Sequence, residues 1–182
     1  MAALIYIVQA LLQYLLVTAF LLRLLLPLVR ANMRNPLSQA VLRVTNPLIL
    51  PLRKVLPPIG RIDTASVIAL FLVQAATIAI IATLAGIGLT NPLFLLKTSL
   101  LSILISLIQF YRFAVLIYVL LSWLSPPGYN PASDLLHSLC NPLLRPVRRL
   151  IPPIAGLDLT PIFVLIALQA LLIVVPQPFG FL

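Results

Sequence analysis

The chain has 182 residues, 62% of them apolar and only 8% charged, with a mean hydropathy of +1.18. A soluble domain carries roughly 25% charged residues, so this one lacks the charge to cover a water-facing surface and reads as an integral membrane protein. Its charge is lopsided, 12 Lys+Arg against 3 Asp+Glu for a net +9; without a soluble face to carry a basic stripe, direct nucleic-acid binding is set aside and anionic lipid headgroups are the matching partner. Cys140 is the one cysteine, which excludes an internal disulfide.

The first apolar stretch runs from about residue 4 to 29, long enough to cross a hydrocarbon core of ~30 Å at 1.5 Å per residue. No basic residue precedes Arg23, so the stretch lacks the positive start of a signal peptide and is expected to be a retained span. A basic, proline-rich connection follows over 30–63, then a second span over about 64–88. After a short glycine-containing turn, Asn91 reads as an N-cap and Pro92 as the first helical residue of a third span, about 93–124. At that length it must tilt or reach beyond the bilayer. A second proline- and arginine-rich connection, 126–158, leads to a last span at about 159–175.

The two connections are copies. Residues 35–74 align with 130–169 at a constant offset of 95 without a gap, matching Asn35-Pro36 to Asn130-Pro131, Asn46-Pro47 to Asn141-Pro142, Pro51 to Pro146, Arg53-Lys54 to Arg148-Arg149, Pro57-Pro58 to Pro152-Pro153, Asp63 to Asp158 and Gln74 to Gln169. The chain is an internal duplication, residues 1–90 and 91–182. Each copy holds two spans, so the copies enter from the same side and the repeats are parallel. The expected fold is all-α, with four transmembrane helices as two helix-pair repeats. Nine basic residues lie in the two connections (Arg30, Arg34, Arg43, Arg53, Lys54, Arg61, Arg145, Arg148 and Arg149), which places the connections in the cytoplasm and both termini outside.

Within each connection the Asn-Pro pairs read as caps that open short helices. The first starts at Pro36 or Pro131, and Asn46-Pro47 or Asn141-Pro142 is expected to break it and open a second one. Leu37, Ala40, Val41 and Val44 keep helical spacing, as do Leu135, Leu136 and Leu139. Such a helix suits the membrane interface, with Arg43, Arg53, Lys54, Arg145, Arg148 and Arg149 at phosphate depth, binding lipid or a partner. Asp63 and Asp158 precede spans and are expected to cap them. Arg112, in the middle of the third span, is costly there and marks a functional candidate, whereas Arg23 is near enough to an end to snorkel, and so is Lys97 near the outer interface. Gln9, Gln13, Gln74, Gln109 and Gln169 read as interhelical hydrogen-bond donors and acceptors, and Tyr118 and Trp123 as an aromatic belt. Asp134, His137 and Cys140 recur every third residue, but their counterparts Gln39, Leu42 and Thr45 carry no ligand set, so no metal is expected. No phosphate loop, catalytic triad or cofactor motif is present.

The repeated string Asn-Pro-Leu-x-x-Pro-x-basic-basic-x-x-Pro-Pro, followed by an Asp opening an apolar helix, resembles the YggT (YlmG) family over nearly the whole chain. Asn46, Pro47, Pro51, Arg53, Lys54, Pro57 and Asp63 carry the likeness, with Asn141, Pro142, Pro146, Arg148, Arg149, Pro152 and Asp158. Arg23 matches the family's arginine in the first helix, and Ser122-Trp123 its Ser-Trp pair. The chain departs where Gly60-Arg61 and Ala155-Gly156 replace Gly-Gly, and where Tyr118 takes the second copy's arginine position. The resemblance implies a bacterial inner-membrane protein without enzymatic activity or cofactor, its relatives linked to cell division, envelope organisation, osmotic stress and membrane-complex assembly. Two readings follow: an interaction or assembly factor with a membrane-protein partner, and, as the alternative, a small ion or solute channel acting as a homo-oligomer.

Overall fold

The computed structural model describes residues 2–60, 62–86, 91–124, 130–150 and 158–176. Arg61, Pro152-Pro153 and Ala155-Gly156 lie outside these, as does the side chain of Trp123. Apart from one isolated bridge, Ile59 to Ile62, the described regular structure is helical. Helix α1 (Ala2–Ala10), a π-helical segment (Leu11–Val17) and α2 (Thr18–Leu28) run on as one rod, followed by α3 (Pro36–Val55), α4 (Thr64–Leu84), α5 (Pro92–Leu124), α6 (Pro131–Leu150) and α7 (Thr160–Val174).

Among the described residues, three stretches are long and apolar enough to cross a membrane: Ile5–Leu28, Thr64–Leu84 and Pro92–Ser122. Helix α5, at 33 residues, is about 50 Å long. The expected fourth span is apolar but has only 15 residues in α7, about 22 Å against the ~30 Å of a hydrocarbon core.

The expectation that Asn46-Pro47 and Asn141-Pro142 split each connection into two helices is not met. Helices α3 and α6 each run unbroken for 20 residues through two internal prolines. The reason is where the prolines lie. Pro47 and Pro51, like Pro142 and Pro146, are four apart and exposed, so each pair leaves its missing hydrogen bonds on one outward strip while the opposite face packs. The ring fixes φ near a helical value, and only the donor and some straightness are lost. Opposite the prolines, α3 buries Ser38, Thr45 and Ile49, and α6 buries Cys140 and Leu144; Leu135 and Leu139, seven residues before Pro142 and Pro146, are buried on the proline side of α6. The outer Asn-Pro pairs do open helices: the Oδ1 atoms of Asn35, Asn91 and Asn130 accept from the backbone amides of Leu37, Leu93 and Ala132 at 3.0, 2.9 and 2.9 Å.

By contacts the chain forms two compact units, and neither coincides with one sequence repeat. The first holds the chain up to Leu24 with Val41–Leu107; the second holds Leu25–Ala40 with Ile108–Pro176. In the first, the π-helical segment turns Gln13 to donate to Ser106 Oγ at 2.6 Å and to accept from Gln74 at 3.4 Å. In the second, the stretch after α2 is turned by Arg30, at φ 55°, with Ala31 N donating back to the Leu26 carbonyl at 2.9 Å, a helix end more often made by glycine. That stretch delivers Asn35, 1% exposed, whose Nδ2 donates to the Pro131 carbonyl at 2.7 Å and to Asp134 at 3.3 Å. Val115, Cys140, Leu144, Val164 and Leu168 form the apolar core of this unit.

Removing the Asn35 side chain takes the partner from the half-buried Pro131 carbonyl and from a helix-start amide together. Asn35→Ala is expected to lower stability by about 1–3 kcal/mol, read as a fall in the melting temperature of the detergent-solubilised protein; an unchanged melt would show that these bonds contribute nothing.

Candidate functional site: a repeated arginine–aspartate clasp

Between α3 and α4 the chain reverses through Pro57-Pro58 and a two-residue turn. Ile59 and Ile62 exchange both backbone hydrogen bonds at 3.1 Å, and Gly60 takes φ +60° at the first central position, which such turns require and other residues resist. Thr64 Oγ1 donates to the Pro57 carbonyl at 2.8 Å. This geometry returns Asp63 to the last turn of α3, where Arg53 Nη2 meets Oδ2 at 2.6 Å and Arg53 Nε meets Oδ1 at 3.3 Å. Ser66 Oγ donates to the same carboxylate at 2.6 Å. The fork of the guanidinium matches the two carboxylate oxygens, which gives direction as well as attraction.

Asp63 therefore differs from its expected role. It stands at the N-cap position of α4, but its side chain makes no capping hydrogen bond, because Arg53 and Ser66 take its oxygens. Burial alone would raise its carboxyl; the hydrogen bonds from Arg53 and Ser66, with the charges of Arg53 and Arg23, outweigh burial and hold it below the ordinary carboxylate range.

The second copy repeats the clasp with different partners. Arg148 Nε meets Asp158 Oδ2 at 2.9 Å, and Arg148 Nη2 donates to the Tyr118 hydroxyl at 3.3 Å. Here the Asp also caps, accepting from the Thr160 amide at 3.0 Å. Burial would raise Asp158 as well, and hydrogen bonds from Thr160 and Arg148 bring it below the usual value. The two clasps are unequally covered: the side chains of Arg53 and Asp63 are 43% and 7% exposed, those of Arg148 and Asp158 34% and 40%.

Arg23 is not snorkelling. It is 5% exposed, and buried in this way its guanidinium is under the influence of the charges of Arg53 and Asp63. Among the described residues, the remaining basic residues of the connections, Arg30, Arg34, Arg43, Lys54, Arg145 and Arg149, are exposed. Asn46 and Asn141 are half-buried within their helices. Arg112 donates through Nη1 to Gln169 Oε1 and lies 5.7 Å from the Phe113 ring centroid, in an open apolar cleft of about 570 Å³ lined by Leu116, Leu165, Ile166 and Ile173. Gln74, its partner's counterpart, is 1% exposed and meets Gln13 instead. Asp134, His137 and Cys140 go separate ways: Asp134 accepts from Asn35, His137 lies against Tyr118 with ring centroids 6.3 Å apart, and burial pushes the Cys140 thiol up to about 12.

The comparisons with known proteins agree with this duplicated arrangement. A family model described as CCB3/YggT matches residues 1–84 and 98–179. The chain belongs to the CCB3/YggT family. An uncharacterized protein of Pseudomonas aeruginosa is 42% identical over 169 residues, 92% of this chain and 85% of its own length. The uncharacterized protein YggT of Escherichia coli is 34% identical over 155 residues, covering 83% and 78%, and an uncharacterized protein of Haemophilus influenzae is 33% identical over 151 residues, covering 81% and 78%. No solved structure matches the chain.

Sequence reasoning assigned Arg53 and Arg148 to headgroups and Asp63 and Asp158 to caps, and so missed that each Arg pairs with its Asp. The signal was available: opposite charges ten residues apart, on either side of a double proline, in both copies. Asp63→Asn leaves Arg53 and the buried Arg23 without a counter-charge and is expected to cost several kcal/mol, whereas Asp158→Asn, in a largely exposed pair, is expected to cost about 0–1 kcal/mol. Because the folded Asp63 value is depressed, its stabilisation is complete above the unfolded carboxyl value of about 3.9 and is lost as pH falls through the lower folded value. Melting curves of wild type and Asp63→Asn should differ at neutral pH and converge only in strong acid; a gap that persists there would contradict the assignment.

Proposed function

We propose that this protein is a non-enzymatic inner-membrane interaction factor. Its two clasped connections dock a partner membrane protein in the service of envelope organisation, cell division or assembly of a membrane complex, with osmotic stress as one setting. In this reading α7 is a fourth span, the connections face the cytoplasm, the termini are periplasmic, and anionic headgroups flank the docked partner.

The observation that carries the proposal is the outward face of α3. Val44, Leu48 and Val55 are 64%, 37% and 78% exposed and follow one another at helical spacing with the exposed Pro47 and Pro51 among them. Arg43 and Lys54 border this strip and are also exposed. An apolar strip edged by cations suits a partner segment that is apolar along one face and acidic at its margin. Tethering by the clasp supports the same reading, since a helix fixed at its C-terminal end by Arg53–Asp63 presents its face at little further entropic cost.

A second reading, a small ion or solute channel formed by an oligomer, draws on one specific observation. Arg112 is held in an apolar cleft by a neutral glutamine, and intramembrane cations often mark anion pathways. An anion flux in liposomes that disappears in Arg112→Ala would favour this reading.

Docking is tested by photo-crosslinking from a benzoylphenylalanine placed at Leu48 in native membranes. A discrete protein adduct is expected, reduced at least tenfold when Arg43, Lys54, Arg145 and Arg149 are neutralised together in a protein that still inserts. Lipid adducts alone, or a protein adduct indifferent to the four charges, would overturn the proposal.

A further inference from the structure

We propose that the first clasp, and not the second, is a binding site for an oxyanion of the phosphate class, held by Arg23 and Arg53. The inference stands apart from the docking reading, because it concerns a buried site within the first unit and not the outer face of α3.

The starting point is a charge imbalance under cover. Arg23 is 5% exposed, and its Nη1 is buried with no hydrogen-bond partner among the described residues. A guanidinium stays charged at any pH a protein meets, so it cannot relieve the cost by losing a proton. The acid within electrostatic range is Asp63, whose two oxygens are already turned to Arg53 and Ser66. Two cations therefore share one anion, in a place where an unpaired charge and an unpaired N–H are both costly.

The duplication supplies its own control. At the offset of 95, Arg53 and Asp63 become Arg148 and Asp158, but Arg23 becomes Tyr118. The second clasp is one cation against one anion, and the Tyr118 hydroxyl fills the place by accepting from Arg148. One copy is thus charge-balanced; the other carries a spare guanidinium with a buried donor that has no partner among the described residues. A structural role alone would have been met by the neutral arrangement that the same fold already uses in its second half.

The chemistry of the donors names the ligand class. Arg23 offers a buried N–H without a partner among the described residues, Arg53 is 43% exposed, and Ser66 lies in the first turn of α4, where the helix dipole is positive. Two guanidinium groups suit a tetrahedral oxyanion with several acceptor oxygens. The phosphodiester of an anionic phospholipid and free phosphate share that chemistry, and the experiment separates them.

The test uses the full-length protein, delipidated in a zwitterionic detergent, with two probes: phosphatidylglycerol, followed as retained adducts by native mass spectrometry, and inorganic phosphate, followed by calorimetry. Three proteins are compared: wild type, Arg23→Tyr, which gives the first clasp the composition of the second, and Tyr118→Arg, which gives the second the composition of the first. Wild type is expected to hold one phosphate-class ligand, Arg23→Tyr to bind at least tenfold more weakly, and Tyr118→Arg to gain a second equivalent. Retention of phosphatidylglycerol without response to phosphate assigns the site to a lipid headgroup; a response to phosphate assigns it to the free anion; either supports the inference. Circular dichroism confirms folding of each variant, and should Arg23→Tyr fail to fold, the gain in Tyr118→Arg decides. Equal binding of both probes to all three proteins, or no binding to wild type, overturns it.

Discussion

The first half of this protein depends on one ion pair placed across a turn that cannot be helical. A double proline ends α3, and a glycine with positive φ reverses the chain. Left to itself such a turn would let α3 swing against α4. Arg53 and Asp63, joined at 2.6 Å, fix the last turn of one helix to the first residue before the next. A charged, forked hydrogen bond is directional in a way that apolar packing is not, and direction is what a helix meeting a span at a set angle requires. Arg148 and Asp158 form the corresponding pair in the second copy.

Duplication has let the copies diverge around a conserved frame. The frame is the capped Asn-Pro start, the paired prolines on one exposed strip and the clasp. What differs is cover and charge. Leu139 in α6 is buried at the position that Val44 holds, 64% exposed, in α3. Tyr118 closes the second clasp where Arg23 leaves the first with an extra cation. The second copy fills its clasp with Tyr118, and the first keeps an exposed apolar face and a guanidinium N–H that has no partner among the described residues.

Much of this was legible in the sequence, and the exceptions share a cause. The ends of the apolar runs were readable because length and composition govern them: the span expected at 64–88 is α4, Thr64–Leu84, and that at 93–124 is α5, Pro92–Leu124. Asn91 and Asn35 were readable as caps because capping is local. Asn46-Pro47 was misread because the rule that proline ends a helix is also local. Whether a helix runs on through proline depends on which face the lost hydrogen bonds lie, and therefore on packing that a sequence does not display. The role of Asp63 was obscured for the same reason, since the side chain that displaced its capping role arrives from ten residues away around a turn. The π-helical segment at Leu11–Val17 gave no sequence signal, and Gln13 within it meets Ser106 and Gln74 from far along the chain.

The most direct test of the clasp as the organising interaction is a double-mutant cycle on Arg53→Gln and Asp63→Asn in the solubilised protein, beside the same cycle on Arg148→Gln and Asp158→Asn. The account predicts non-additive stabilities in both cycles, with the larger coupling in the first, where the aspartate is buried. Additive losses in the first cycle would mean that the two side chains are neighbours without being partners, and would contradict it.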